Sequence, residues 1–422
     1  MVRRSVDPVQ LCAMRILVIG GGAAGFFAAL SAAQHHPQAR ITLLEKSDKL
    51  LAKVRISGGG RCNVTHDLSE PRKLAKHYPR GEAFLRKAFA QWHRDHTVAW
   101  FKERGVALKT EADGRMFPVT DSSETIIDCL TGAAERSGIR ILTRTGVNAL
   151  EPGEKHWTVR TNTAELQAEQ VIVASGGSPK REGLQWLADL GHTIVDPVPS
   201  LFTFNLPQEP LTTLMGTVAQ ARVRIEGSKL ESTGPVLVTH WGLSGPAVLR
   251  LSAWGARELQ ARNYTFALRI NWMGGRNEEE LRELFRTETM AHPKRTVANM
   301  KGPGLTARLW EYLLQRSLVA GEKPLGEVGR DGLNRILATL TNDRYTAKGK
   351  TTFKEEFVTA GGVDLKEIDP STMASLRCPG LYFAGEVLDI DGITGGFNFQ
   401  AAWTTGWIAG RCGATGADAR TS

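Results

Sequence analysis

Residues 20 to 25 read Gly20-Gly21-Gly22-Ala23-Ala24-Gly25, a GxGxxG pattern. It follows a short β-branched strand, Arg15 to Ile19, and opens an Ala-rich helix expected from about Ala23 to His35. That placement suits phosphate chemistry. Gly20 permits a tight turn, Gly22 lets the backbone approach a pyrophosphate, and Gly25 lets the helix pack closely on the strand. Ala23 and Ala24 add the free N–H groups of a helix N-terminus, whose positive dipole end faces the anion. Glu45 closes a second apolar strand, Ile41 to Leu44, about 20 residues beyond the pattern, where a ribose-binding acid is expected. Lys46 follows it and belongs to the same candidate set. The alternative is a purely structural glycine turn. The motif alone does not separate FAD from NAD.

The C-terminal region separates them. Leu381-Tyr382-Phe383-Ala384-Gly385-Glu386 reads as an apolar strand ending in Gly385 and the acid Glu386. In flavoproteins of this architecture such an acid hydrogen-bonds the ribityl chain. Gly395-Gly396-Phe397-Asn398 then opens a last helix. Its N–H groups would face the flavin pyrimidine edge, where negative charge develops on reduction. Two nucleotide-type corners at opposite ends of the chain point to FAD.

A third element, Ser57-Gly58-Gly59-Gly60-Arg61-Cys62-Asn63, offers a glycine loop able to lie against a flat ring or a phosphate. Arg61 adds a phosphate-suited cation. Cys62 is a candidate redox thiol or proton donor, or simply a small buried hydrophobe. Ser175-Gly176-Gly177 ends another strand, and Gly176 joins the candidate cofactor contacts. In Thr239-His240-Trp241-Gly242-Leu243-Ser244-Gly245-Pro246, His240 is a candidate proton carrier or a structural hydrogen-bonder. Two basic stretches, Arg72 to Arg104 and Arg344-Tyr345-Lys348-Lys350-Lys354, can track a nucleic-acid backbone or form a solvated face.

The elements that position these residues fall into an α/β pattern. The strand–helix–strand start implies a parallel sheet. Pro71 to Arg104 reads as helical, with Leu74, Phe84, Phe89, Trp92 and Trp100 as core contacts. A helix over Ser122 to Ser137 and a strand over Ile139 to Thr143 follow. Val147 to Glu169 reads as a three-stranded meander, and Val171 to Ala174 as a buried strand. From Pro197 to about Trp272 the proline-marked segments read as short strands and turns. Glu278 to about Ala338 reads as helical. The expected division is therefore a discontinuous Rossmann-type FAD-binding domain over 14–195 and 357–414. A β-rich insert takes 196–275 and 345–356, a small helical domain takes 276–344, and residues 1–13 form an N-terminal arm.

The chain has 422 residues, a hydrophobic fraction of 41% and a formal net charge of +9, which favours anionic partners. Its five cysteines, Cys12, Cys62, Cys129, Cys378 and Cys412, lack CxxC spacing, which argues against a disulfide framework or a zinc site and for a reducing compartment. Arg3 and Arg4 before an apolar stretch superficially resemble a secretion signal, but that stretch carries the glycine pattern. No other segment reads as a membrane span, so the cytoplasm is expected. Met14, immediately before the first strand, is a second candidate start.

Ser57 to Asn63 (SGGGRCN), Thr239 to Ala247 (THWGLSGPA) and Pro379 to Phe399 (PGLYFAGEVLDIDGITGGFNF) together resemble the BaiN/RdsA family of NAD(P)/FAD-dependent oxidoreductases, also described as YhiN-like flavoproteins. The likeness runs from about Met14 to Gly410. It departs at Ala52-Lys53-Val54-Arg55-Ile56, where many relatives carry a GRK-type run, and in the short segment after Gly177. The resemblance implies a β-barrel-like insert, a small helical domain and reduction of activated carbon–carbon double bonds. One branch is linked to steroid-like enones, another to uridine reduction in ribosomal RNA. The sequence thus predicts an FAD-dependent reductase with NAD(P)H as transient hydride source and a small molecule or RNA as substrate. A flavin-bearing RNA-binding or sensor protein without turnover is the competing class.

Overall fold

The computed structural model describes residues 13–300, 303–351 and 358–413. Residues 1–12 of the expected arm, with Cys12, lie outside the described residues, as does Lys354. The chain divides into two compact units, one taking the residues up to Pro197 and from Val358 onward, the other Val198–Phe357. Among the described residues no helix is long and apolar enough to cross a membrane.

The first unit is built on a five-stranded parallel sheet. Its order is Leu381–Phe383, Gln170–Val173, Arg15–Ile19, Arg40–Leu44 and Arg140–Leu142. Leu17, Val18, Leu43, Val171, Ile172 and Phe383 are buried, as expected of strands covered on both faces. Two helices, Ala23–His35 and Phe397–Gly410, pack on each other by close backbone approach. A Cβ at Gly406 would fall 2.4 Å from the Ala24 carbonyl oxygen, and one at Gly410 2.3 Å from that of Ala28. Both helices are apolar nearly all round, which marks them as interior elements.

Pro71 to Arg104 is divided into three helices, Pro71–Ala75, Glu82–Phe89 and Arg94–Glu103, and the five apolar side chains expected in their core are buried. The meander is antiparallel, with strands Val147–Pro152, Trp157–Thr161 and Glu165–Ala168. A second small antiparallel sheet pairs Thr65–His66 with Arg115–Pro118, and that strand with Leu108–Thr110.

The second unit holds a seven-stranded antiparallel sheet, running from Asp343–Lys348 at one edge to Lys350–Thr351 at the other. Only Gly349, with φ +93°, separates those two edge strands in sequence. The sheet must therefore curl until its edges meet, which gives the barrel-like form. Helices Glu278–Ala291, Ala307–Arg316 and Gly329–Asn342 share one apolar core with it, including Leu268, Trp272, Phe285, Trp310 and Leu337.

One stretch differs from expectation. Pro246–Trp254 and Ala256–Ala261 are helices, not strands. Pro246 occupies the first helical turn, where its missing N–H costs nothing, and Ala247, Val248 and Leu251 form the buried face. Pro246 thus marks a helix start and not a turn between strands.

Candidate functional site

The glycine loop has the form its spacing demands. Gly20, at φ +115°, has no room for a side chain: a Cβ would lie 2.2 Å from the Ala174 carbonyl oxygen. A Cβ on Gly25 would lie 1.8 Å from the Gly20 oxygen, so helix and strand touch through bare backbone. Gly22 is the opposite case, since nothing lies within 4 Å of its Cβ position. The helix that starts at Ala23 has no capping side chain and no acid in its first turn. Its leading N–H groups are therefore left for an anion. Ala24 is packed against Gly385, whose Cβ position lies 2.8 Å from the Ala24 Cβ. These are the properties of a dinucleotide cradle, and the residues present fit one.

Glu45 braces that loop. One carboxylate oxygen accepts from the Gly21 N–H at 2.9 Å, the other from the Ser47 N–H and hydroxyl, both at 2.8 Å. A carboxylate has lone pairs beyond these, so a ribose hydroxyl can still be accepted. Lys46 is exposed.

The segment after Leu51 starts as a helix and breaks at Ser57, with ψ 147°. Gly58, Gly59 and Gly60 follow at φ +59°, +69° and +83°, a left-handed run that side-chain-bearing residues resist. The Cβ positions of Gly59 and Gly60 are open, whereas that of Gly58 faces the Phe117 ring. Gly176, at φ +78°, is likewise open.

Three residues of this group are engaged within the protein, Cys62 as the small buried hydrophobe of its two expected readings. The Arg61 guanidinium lies 4.0 Å over the Phe117 ring and pairs with Glu111 at 2.6 Å and Asp121 at 3.6 Å. The hydrogen bond to Glu111 holds its pKa above the ordinary arginine value, so its charge is already matched within the protein. Cys62 has no accessible surface, and burial pushes its thiol up to about 12, only partly offset by a hydrogen bond to Ser57. Its thiol is thus protonated near neutrality and walled off, as in a small core residue. Asn63, with its amide oxygen toward Gly396, accepts that N–H at 3.0 Å and donates to the Thr65 oxygen at 3.0 Å. Asn63 thereby ties the first glycine segment to the turn that opens the C-terminal helix.

That turn is held from several sides. Asn398 accepts from the Gly392 N–H (2.8 Å) and donates to the Gly392 oxygen (2.9 Å). His66 Nδ1 donates to the Gly395 oxygen at 3.1 Å. The Phe397 ring stacks with both the His66 and the His77 rings, at 4.6 and 4.5 Å, those two rings being 6.2 Å apart, and its carbonyl accepts from the Tyr78 hydroxyl at 2.7 Å. Asp391, fully buried, forms an ion pair with Arg80. Behind the turn, Gln400 accepts from the Thr65 hydroxyl at 2.6 Å and donates to Thr97 and Thr404. None of His66, Tyr78, Arg80, Asp391 and Gln400 stands out in sequence. Asp391 and Gln400 sit in or beside a recognisable motif, but nothing local marks their distant partners.

Glu386 accepts from the Thr359 N–H at 2.8 Å and pairs with Lys53 at 2.6 Å. Gly385 donates its N–H to the Thr405 hydroxyl at 2.8 Å. His240 belongs to the second unit, exposed on the turn between Glu231–Thr239 and Gly242–Ser244, with its ring edge-on to Trp241 at 4.3 Å.

The HI0933-like protein Rossmann domain family matches residues 14–412. The chain is 28% identical to a 3-dehydro-bile acid delta(4,6)-reductase of Clostridium scindens, over 95% of this chain and 99% of that protein. It is 29% identical to a ribosomal RNA dihydrouridine synthase of Escherichia coli, over 93% of this chain and 96% of the other. Among solved structures, a 3-ketosteroid delta1-dehydrogenase of Sterolibacterium denitrificans shares the fold. Its TM-score is 0.50 at 13% identity, over 94% of this chain and 98% of that one.

Proposed function

The chain belongs to the HI0933-like family of FAD-dependent oxidoreductases, and on that premise we propose that it reduces an activated carbon–carbon double bond with NAD(P)H as hydride source. The observation that carries the reading is the graded glycine cradle. Gly20 and Gly25 are jammed against backbone, while Gly22, Gly59, Gly60 and Gly176 leave open the space a ligand would take. FAD, when bound, supplies hydride transfer to an electron-poor carbon. The protein's part is binding and orientation. The amides at the start of the first helix hold the pyrophosphate, and Glu45 accepts a ribose hydroxyl while fixing Gly21. Asn63, Asn398 and His66 hold the Gly395–Gly396 turn, so the free N–H groups of the last helix keep one direction as charge develops. Glu386, steadied by Lys53 and Thr359, borders the Gly176–Gly177 loop and is the candidate ribityl acceptor. Cys62 serves in the wall beneath the loop.

The bond type is supported by the name of the Clostridium scindens relative. A second reading, uridine in ribosomal RNA, is favoured by the net charge of +9 and the name of the Escherichia coli relative. Both substrates present an electron-poor double bond. Scattered cysteines without CxxC spacing fit a cytoplasmic setting.

Anaerobic mixing of the flavin-loaded protein with NADH or NADPH tests the reading. Bleaching of the flavin band, followed by recovery on adding an enone or a uridine-containing RNA, is expected. A flavin that neither nicotinamide bleaches, or that only oxygen restores, would exclude it.

A further inference from the structure

The outward face of the barrel-like sheet carries an ordered array of cations. On strand Val218–Ile225 the outward positions are Val218, Gln220, Arg222 and Arg224; on Asp343–Lys348 they are Arg344, Thr346 and Lys348. Between these strands lies Thr265–Asn271, with Arg269 outward. The register aligns Arg224 with Arg269 and Arg269 with Arg344, so three arginines stand in one row across three strands. Strands are about 4.8 Å apart, so the row spans about 10 Å. Arg222 and Lys348 extend the array along the strands, at same-face steps of about 7 Å.

Like charges directly opposite on a sheet destabilise it. Two carboxylates share the face. Glu226 pairs with Arg269 at 2.5 Å and Arg344 at 3.2 Å, and Glu231 stands opposite Arg224. Five cations against two anions leave an excess. Arg222, Arg224 and Lys348 have no ion-pair partner among the described residues, and Arg224, Arg344 and Lys348 are exposed.

We propose that this sheet face is a docking surface for the phosphate backbone of RNA. A single small anion would use one cluster, whereas cations repeated along two directions match an anion repeated along a polymer. Four of the five are arginines, whose planar fork matches phosphate oxygens better than an ammonium does. The inference rests on the RNA-substrate reading for its choice of nucleic acid, and names the surface that would hold such a substrate.

Fluorescence anisotropy of a labelled single-stranded RNA, titrated with the full-length flavin-loaded protein across a salt series, tests it. The triple variant Arg224→Ser, Arg344→Ser, Lys348→Ser should bind at least about tenfold more weakly at low salt. Its log–log salt slope should be shallower by about 2, from about 0.7 per lost phosphate contact. Glu226→Gln, which releases two arginines, should bind a few-fold tighter. The control triple Arg72→Ser, Arg86→Ser, Lys87→Ser removes the same charge from exposed helix positions of the other unit and should change little. Equal losses in both triples, or an unchanged salt slope in the sheet variant, would overturn the proposal. So would loss of binding to phosphatidylserine vesicles with RNA affinity intact. If the triple fails to fold, Arg344→Ser and Glu226→Gln must still move affinity in opposite directions. Mass spectrometry of ribosomal RNA from a deletion strain separates the two claims. Unchanged dihydrouridine beside array-dependent RNA binding would remove the substrate reading and leave the dock.

Discussion

At the scale of single residues, the glycines sort by what their missing side chains would meet. A Cβ at Gly25 collides with backbone, while one at Gly22 meets nothing. Gly22→Val should therefore fold, with a melting temperature within a few degrees of the parent, yet bind FAD at least tenfold more weakly, about 1.4 kcal/mol. The flavin-to-protein absorbance ratio and a circular-dichroism melt together check this; a colourless but unfolded variant would not support the argument. Cys62 supplies a second residue-scale test. Its folded thiol titrates near 12, well above its ordinary value of about 9. The folded state keeps a proton that the unfolded chain releases, so the thiol's contribution to stability is complete below pH 9 and is lost as pH rises toward 12. Cys62→Ala should flatten part of that alkaline decline in urea melts. The native thiol should also resist Ellman's reagent at pH 8 until denaturant is added.

Among the elements, the turn from Leu388 to Gly396 is held with more partners than a surface loop requires. Arg80 and the buried Asp391 form an ion pair in its brace, and a buried pair is costly to break because the remaining charge is left unpaired. Asp391→Asn should cost roughly 3–5 kcal/mol and release flavin on dialysis, read by denaturant midpoint and by flavin retained after gel filtration. A variant that loses stability but keeps flavin affinity would separate the brace from the site. The brace joins residues remote in sequence: Asn63 with Gly396, Thr65 with Gln400 across 335 positions, Tyr78 with Phe397 across 319.

For the whole molecule, the contrast between the units is one of continuity. The first draws its parallel sheet from both ends of the chain, since Leu381–Phe383 completes the order begun by Arg15–Ile19. The second is contiguous and has its own apolar core from Phe202 to Ala347. Residues 198–357 expressed alone should therefore give a cooperative thermal transition without flavin. A dispersed amide NMR spectrum would agree; a spectrum of unfolded chain would show that the segment cannot fold apart. Residues 14–197 alone should fail to hold flavin, because Gly385, Glu386 and the helix from Phe397 are missing.

Local pattern was enough for the glycine corners, the parallel-sheet core, the buried aromatic positions of Pro71 to Arg104 and the helical character of Glu278 to Ala338. These rest on periodicity and on backbone conformations that only glycine tolerates, and both are written in consecutive residues. Tertiary structure decided the rest, because it depends on partners remote in sequence. Arg61 read as a free cation until Glu111 and Asp121 were placed beside it. Cys62 is open to two readings in sequence, reactive thiol or small buried hydrophobe, and its burial favours the second. The basic stretch near residue 345 divided: Tyr345 turned inward, Lys350 settled over the Tyr264 ring, and Arg344 and Lys348 joined arginines from two other strands. A strand's own sequence shows which residues share a face, but only its register shows which charges from other strands stand beside them.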